Sequence, residues 1–204
     1  MSRILATLKG LQRNSHHAYL NSGFRNDVNW WFQFLPHFHS VHLIKCGSPS
    51  EVFSTDACLV GGAGICGKEF FTYTFPEELL KVATSISLLE FITVVLAVKV
   101  WGRTWQGQKL VVKCDNEATV QVINSGRANN EFMQACAREL IFLACKWDFE
   151  LEAVHVPGEQ NTLADWLSRK SLSSKYWNLF TEATNGTFTE VTINEDMWKF
   201  TCRW

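Results

Sequence analysis

EVFSTDACLVGGAGICGKEFFTYTF, residues 51–75, reads as three short β-strands in succession. EVFSTDACLV is rich in β-formers, GGAGICGKEF follows as a second strand loosened by glycine, and FFTYTF is a third. The short spacings fit an antiparallel meander. One acid, Asp56, sits inside the first strand among apolar neighbours.

Downstream, SISLLEFITVVLAVKVWGRTW is too long and too continuously apolar for a strand, which predicts a helix packed across a sheet. KLVVKCDN is then a short buried strand, and NEATVQVINSG a helix whose N-terminal signal is Asp115 or Asn116. A helix over ANNEFMQACARELIFLACKWD, a strand FELEAVHV and a helix NTLADWLSR complete the order βββαβααβα. Strands alternating with helices after a meander predict an α/β protein, a mixed sheet covered by helices.

Upstream, residues 1–47 read as a loosely amphipathic helical segment ending in WWFQFLPHFH, and Gly47-Ser48-Pro49-Ser50 breaks the pattern and sets a domain boundary. His37, His39 and His42 lie close together there, but without a nearby cysteine or acid they read as a loop feature rather than a metal site. Residues 171–204 form an aromatic C-terminal extension without a clear period.

A chain of 204 residues accommodates one domain of ordinary size with an appendage. Hydrophobic residues at 47% and charged residues at 19% exclude a disordered chain. The net charge of -1 means that any nucleic-acid binding must rest on local clusters of Lys and Arg. Seven scattered cysteines without a CxxC pair read as reduced thiols, which favours the cytoplasm or the nucleus. Neither a signal-peptide core nor a membrane-length apolar run is present, so no membrane association is expected.

Four acids stand in apolar company: Asp56 in VFSTDACLV, Glu90 in SLLEFITVVLAV, Asp115 at the end of KLVVKCDN, and Asp165 in LADWL. A buried carboxylate costs several kcal/mol unless it is paired or binds metal. Each has an ordinary reading as well. Asp115 could cap the helix that follows, Glu90 could lie on a solvated stripe, Asp56 could satisfy a turn, and Asp165 could pair with Arg169 at i,i+4. No Lys or Arg lies within five positions of Asp56 or Glu90, so local ion pairs do not explain these two. If the first and fourth strands are neighbours, Asp56 and Asp115 meet and the helices bearing Glu90 and Asp165 can pack over them. Converging carboxylates suit Mg²⁺ or Mn²⁺ better than zinc, and two such ions about 4 Å apart serve phosphodiester cleavage.

The stretches STDACLVGGAG, LLEFITVVLAVKVW, VVKCDNEATVQVINSGR and HVPGEQNTLADWLSR occur in this order over about residues 51–170. Together they resemble the ribonuclease H domain of retrotransposon reverse transcriptases, most closely that of DIRS-like elements, with gypsy-like elements next. The resemblance implies a ribonuclease H-like fold, a five-stranded mixed sheet flanked by helices. It also implies a catalytic and metal-binding quartet of Asp56, Glu90, Asp115 and Asp165, two Mg²⁺ ions (Mn²⁺ as an alternative), and hydrolysis of the RNA strand of an RNA:DNA hybrid. Residues 1–47 are similar to the end of the connection between polymerase and nuclease, with a tryptophan pair at Trp30-Trp31. No YxDD-like polymerase motif occurs. The expectation is a polyprotein fragment or stand-alone derivative whose partner could be a polymerase domain.

The chain departs from the family's cellular members in two places. The loop before Asp165 is short and lacks their extra histidine, and Glu117 stands where they tend to carry an amide. His155 reads as a structural residue bonding its loop. For the hybrid, Lys109, Lys113, Arg127, Arg138, Lys146, Arg169 and Lys170 are candidate phosphate contacts, with Arg127 favoured because NSGRANN lets backbone approach closely. Asn116, Asn124 and Asn129 could bond sugars or phosphates. The rival reading is a catalytically silent, retroelement-derived module that binds nucleic acid or protein. A third is the same fold acting on DNA, since carboxylates and metal do not specify the sugar.

Overall fold

Three consecutive strands, β1 (Glu51–Ala57), β2 (Gly61–Cys66) and β3 (Glu69–Thr74), form the antiparallel meander. The glycines of β2 have a packing reason: a Cβ at Gly64 would come within 2.6 Å of the Phe71 ring. Ala63 and Ile65, alternating with them, join the apolar cluster on the opposite face of the sheet. Gly67, at φ 57, makes the two-residue hairpin between Cys66 and Glu69.

β4 (Lys109–Cys114) runs parallel to β1, and β5 (Glu150–His155) runs parallel to β4. A further strand, β6 (Thr189–Glu190), pairs in parallel with β3, giving the order β5-β4-β1-β2-β3-β6. The sheet is mixed, as expected, with six strands instead of the five expected. The sixth comes from the C-terminal extension and is anchored by side chains: Thr72 Oγ1 at 2.9 Å and Lys170 Nζ at 3.0 Å both donate to Glu190 Oε1.

Between the third and fourth strands lie α2 (Glu77–Val82) and α3 (Ile86–Trp101). The short α2 was not expected from the sequence; it begins after Pro76 with Glu77 and Glu78 in its first turn, where the helix dipole favours acids. α3 is buried without interruption from Leu88 to Val98, so it has no polar face to offer water there. It packs with α4 (Glu117–Ser125) and α5 (Glu131–Trp147) in one layer. The other layer is α6 (Thr162–Ser168) and α7 (Ser174–Thr184). Phe180 of α7 is 1% exposed and meets the Phe70 ring edge-on, so the extension completes a core shared with the sheet.

The computed structural model describes residues 17, 19–37, 49, 51–83 and 85–200. The chain divides into two units, Met1–Leu43 and Ile44–Trp204. The elements from β1 to β6 belong to the second. In the first, α1 (Ser22–Phe34) is capped by Asn21, whose Oδ1 accepts the Phe24 N–H at 2.9 Å. Trp30 stacks on Phe34 one turn along, with ring centroids 4.8 Å apart, and Trp31 meets both edge-on. His39 and His42 lie outside the described residues.

Candidate active site

The parallel register of β1 and β4 builds the site. Ser54 stands opposite Lys113, so two residues further on Asp56 and Asp115 leave neighbouring strands at the same end of the sheet. Glu90 arrives from α3, and its Oε1 accepts the Ala57 backbone N–H at 2.9 Å, fixing it beside Asp56. Ligand atoms of Glu90, Cys114 and Asp115 lie within 4.8 Å of one another. Asp56, Glu90, Asp115 and Asn116 line one cleft of about 650 Å³, together with Leu59, Ile86, Arg169, Leu172 and Tyr176.

Alternation along β1 turns Phe53 toward Trp105 on one face and Asp56 toward α6 on the other. There Ser168 donates its hydroxyl to Asp56 Oδ2. The same hydroxyl lies 2.9 Å from the Asp165 carbonyl one turn back, so α6 orients Asp56 directly. Asp165 itself pairs with Arg169, Nη2 to Oδ1 at 2.6 Å, as its i,i+4 spacing allowed. Its charge still reaches Asp56. The loop before α6 is held by Asn161, whose amide donates to the Thr55 carbonyl at 2.9 Å. Gly158 of that loop lies beside Asp115, where an added Cβ would stand 3.4 Å from Oδ2, in ordinary contact.

Burial, joined by the charges of Asp115 and Asp165, pushes the Asp56 carboxyl up to about 7, against the Ser168 hydrogen bond and the Arg169 charge. Burial and the Asp56 charge likewise hold Glu90 well above the ordinary carboxylate range. Burial and Glu90 raise the Cys114 thiol far above its usual range, so it stays protonated, 3.9 Å from Glu90 Oε2. As a zinc ligand it would have to give up that proton, and one thiol among carboxylates is not a zinc-type donor set. What remains is a set of carboxylate oxygens crowded against their own repulsion, which fits a hard divalent cation such as Mg²⁺ or Mn²⁺.

The sequence-derived contacts divide. Asn116 is the N-cap of α4, its Oδ1 accepting the Thr119 N–H at 3.0 Å while its Nδ2 donates to Ser87 Oγ at 3.1 Å. Asn124 clamps β5, bonding both the N–H and the carbonyl of Ala153 at 2.8 Å. Contact with a nucleic acid through either amide would have to share groups that already have partners. Arg127 is exposed on the loop after α4, beyond Gly126 at φ 66. His155 bonds the Asp115 carbonyl through Nε2 at 3.2 Å, holding the end of β4 rather than its own loop. Ser168, Asn161 and Tyr176 were not singled out from the sequence, because their partners are distant or lie in the extension.

A family model described as "Reverse transcriptase-like" matches residues 91–171, which include Asp115 and Asp165 and begin one residue after Glu90. No curated protein matches the chain at a significant level. Solved structures similar to it include LC11-RNase H1, isolated from compost by a metagenomic approach and solved in complex with an RNA/DNA hybrid, at 16% identity and a TM-score of 0.49, covering 61% of this chain and 100% of that one. RNase H1 of the halophilic archaeon Halobacterium salinarum NRC-1 is 14% identical with a TM-score of 0.45, covering 60% of this chain and 96% of that one. The N-terminal RNase H domain of a Mycobacterium tuberculosis protein is 14% identical with a TM-score of 0.41, covering 67% and 99%.

Proposed function

We propose that the chain is a metal-dependent endoribonuclease that hydrolyses the RNA strand of RNA:DNA hybrids and derives from a retroelement reverse transcriptase. The observation that carries this reading is the meeting of Asp56, Glu90 and Asp115 from three separate elements in one open cleft. On this reading residues 1–47 are a connection-like segment, 51–170 the nuclease and 171–204 an extension, and the protein works in the cytoplasm or nucleus.

Asp56, Glu90, Asp115 and Asp165 would hold the cation or cations. When bound, a pair of divalent ions activates a water and stabilises the leaving oxygen of the phosphodiester. The Ala57 N–H holds Glu90, the Ser168 hydroxyl holds Asp56, and the His155 contact fixes the backbone at Asp115. Arg127 is the outlying phosphate contact.

The test is cleavage of a labelled RNA:DNA hybrid by the full chain with Mg²⁺ and with Mn²⁺, beside duplex RNA and duplex DNA. The expected result is cutting of the RNA strand of the hybrid alone, lost in Asp115→Asn. A second reading, a silent module that binds without turnover, draws on the Asp165–Arg169 pair, which occupies one acid of the quartet. Tight hybrid binding by a folded chain that cuts with neither ion would replace the nuclease by that module.

A further inference from the structure

The cleft has a wall that the four acids do not account for. It comes from residues after Asp165: Arg169 at the end of α6, Leu172 in the following turn and Tyr176 in the first turns of α7. Among the described residues lining the cleft, Arg169 carries the single positive charge. Its guanidinium lies 2.6 Å from Asp165 at one edge and stands 6.0 Å from the centre of the Tyr176 ring. Leu172 beside it is 57% exposed.

We propose that Arg169, Leu172 and Tyr176 form a nucleotide subsite, in which Arg169 grips a backbone phosphate of the cut strand and Leu172 and Tyr176 contact the adjoining sugar and base face. This rests on the nuclease reading and names the part of the cleft that seats the strand.

Four physical points lead to it. Asp56, Glu90 and Asp115 in the cleft repel a polyanion, so a strand that crosses it needs a cation beside the acids, and Arg169 is the one placed there. A guanidinium has five N–H donors in a planar fork that matches phosphate oxygens, and the Asp165 pair uses only part of that fork. A partly exposed i,i+4 ion pair contributes little by itself, so the guanidinium can turn from Asp165 to a phosphate at small loss. An aromatic ring with an exposed leucine beside a charge offers the sequence-tolerant stacking surface used for nucleic-acid strands.

The experiment measures affinity of the full chain for hybrids in Ca²⁺, which separates binding from turnover. A single uncharged methylphosphonate is walked along the RNA strand. At one position the unaltered chain should lose roughly tenfold in affinity, the size of one charge-assisted contact. Arg169→Ala should lose a similar factor on the unmodified hybrid and nothing further from that methylphosphonate; Arg169→Lys should recover part of the loss. Leu172→Ala should weaken binding without altering the methylphosphonate profile, and thermal melting should show each variant folded. If Arg169→Ala and the methylphosphonate weaken binding independently at every position, the subsite is overturned while the nuclease reading stands. If the unaltered chain binds no hybrid, the nuclease reading falls and the subsite with it.

Discussion

The backbone N–H of Ala57 donates to Glu90 Oε1 at 2.9 Å, joining the first strand to the middle helix inside the candidate site. The bond serves both the fold and the site, and the two uses can be separated. Glu90→Gln keeps an oxygen for Ala57 and removes the charge that Asp56 and Asp115 oppose. The metal-free variant should therefore melt higher than the unaltered chain at pH 8. Its hybrid cleavage should fall by more than the roughly 100-fold that loss of a supporting residue around a metal costs. A lower melting temperature with activity kept would place Glu90 among ordinary structural residues.

The raised carboxyl of Asp56 predicts a pH dependence of stability without metal. Its folded value of about 7 lies above the ordinary 3.8, so the folded state holds the proton more tightly than the unfolded state. That stabilisation is complete below about pH 4 and is lost as pH rises through about 7, a span worth at most roughly 4 kcal/mol. Denaturant midpoints in EDTA should fall from pH 5 to pH 8, and Asp56→Asn should flatten the slope. Mg²⁺ should raise the midpoint most at pH 8, where the acids are ionised. A flat profile for the unaltered chain would contradict the crowded-carboxylate account.

Much of this was legible in the sequence, for local reasons. The meander, the apolar α3 and the βαα order follow from period and from glycine placement, and the spacing of Asp165 and Arg169 announces their pair. The capping of α4 was narrowed to Asp115 or Asn116, and the structure assigns it to Asn116, leaving Asp115 for the cleft. What could not be read depends on contacts across the chain. Ser168 meets Asp56 at a separation of 112 residues, and neither shows a pattern that names the other. β6 is two residues long and is stabilised by Thr72 and Lys170 rather than by its own propensity, so no periodicity marks it.

Asn124 was a candidate contact to nucleic acid, and its two 2.8 Å bonds to Ala153 make it a brace between α4 and β5. Asn124→Ala should cost about 2 kcal/mol by leaving strand polar groups without that partner. Hybrid affinity per folded molecule should stay within about twofold. Urea unfolding and a binding titration on the same preparation measure both. Weakened binding at unchanged stability would return Asn124 to the interface.

Lys99 ties the last described turn of the chain to the core. Its Nζ pairs with Glu139 at 2.9 Å, with the two side chains 9% and 2% exposed, and donates to the carbonyls of Met197 at 3.1 Å and Lys199 at 2.6 Å. A buried pair broken on one side is more damaging than a pair replaced by apolar groups, because the remaining charge keeps its desolvation penalty. Lys99→Met should thus cost about 3–5 kcal/mol, and Lys99→Met with Glu139→Leu should recover much of that loss. Amide exchange over residues 195–200 should accelerate in both, since both remove the ammonium that holds those carbonyls. Unchanged exchange there would show that the packing of Trp198 against Tyr73 and Phe75 holds the segment without Lys99.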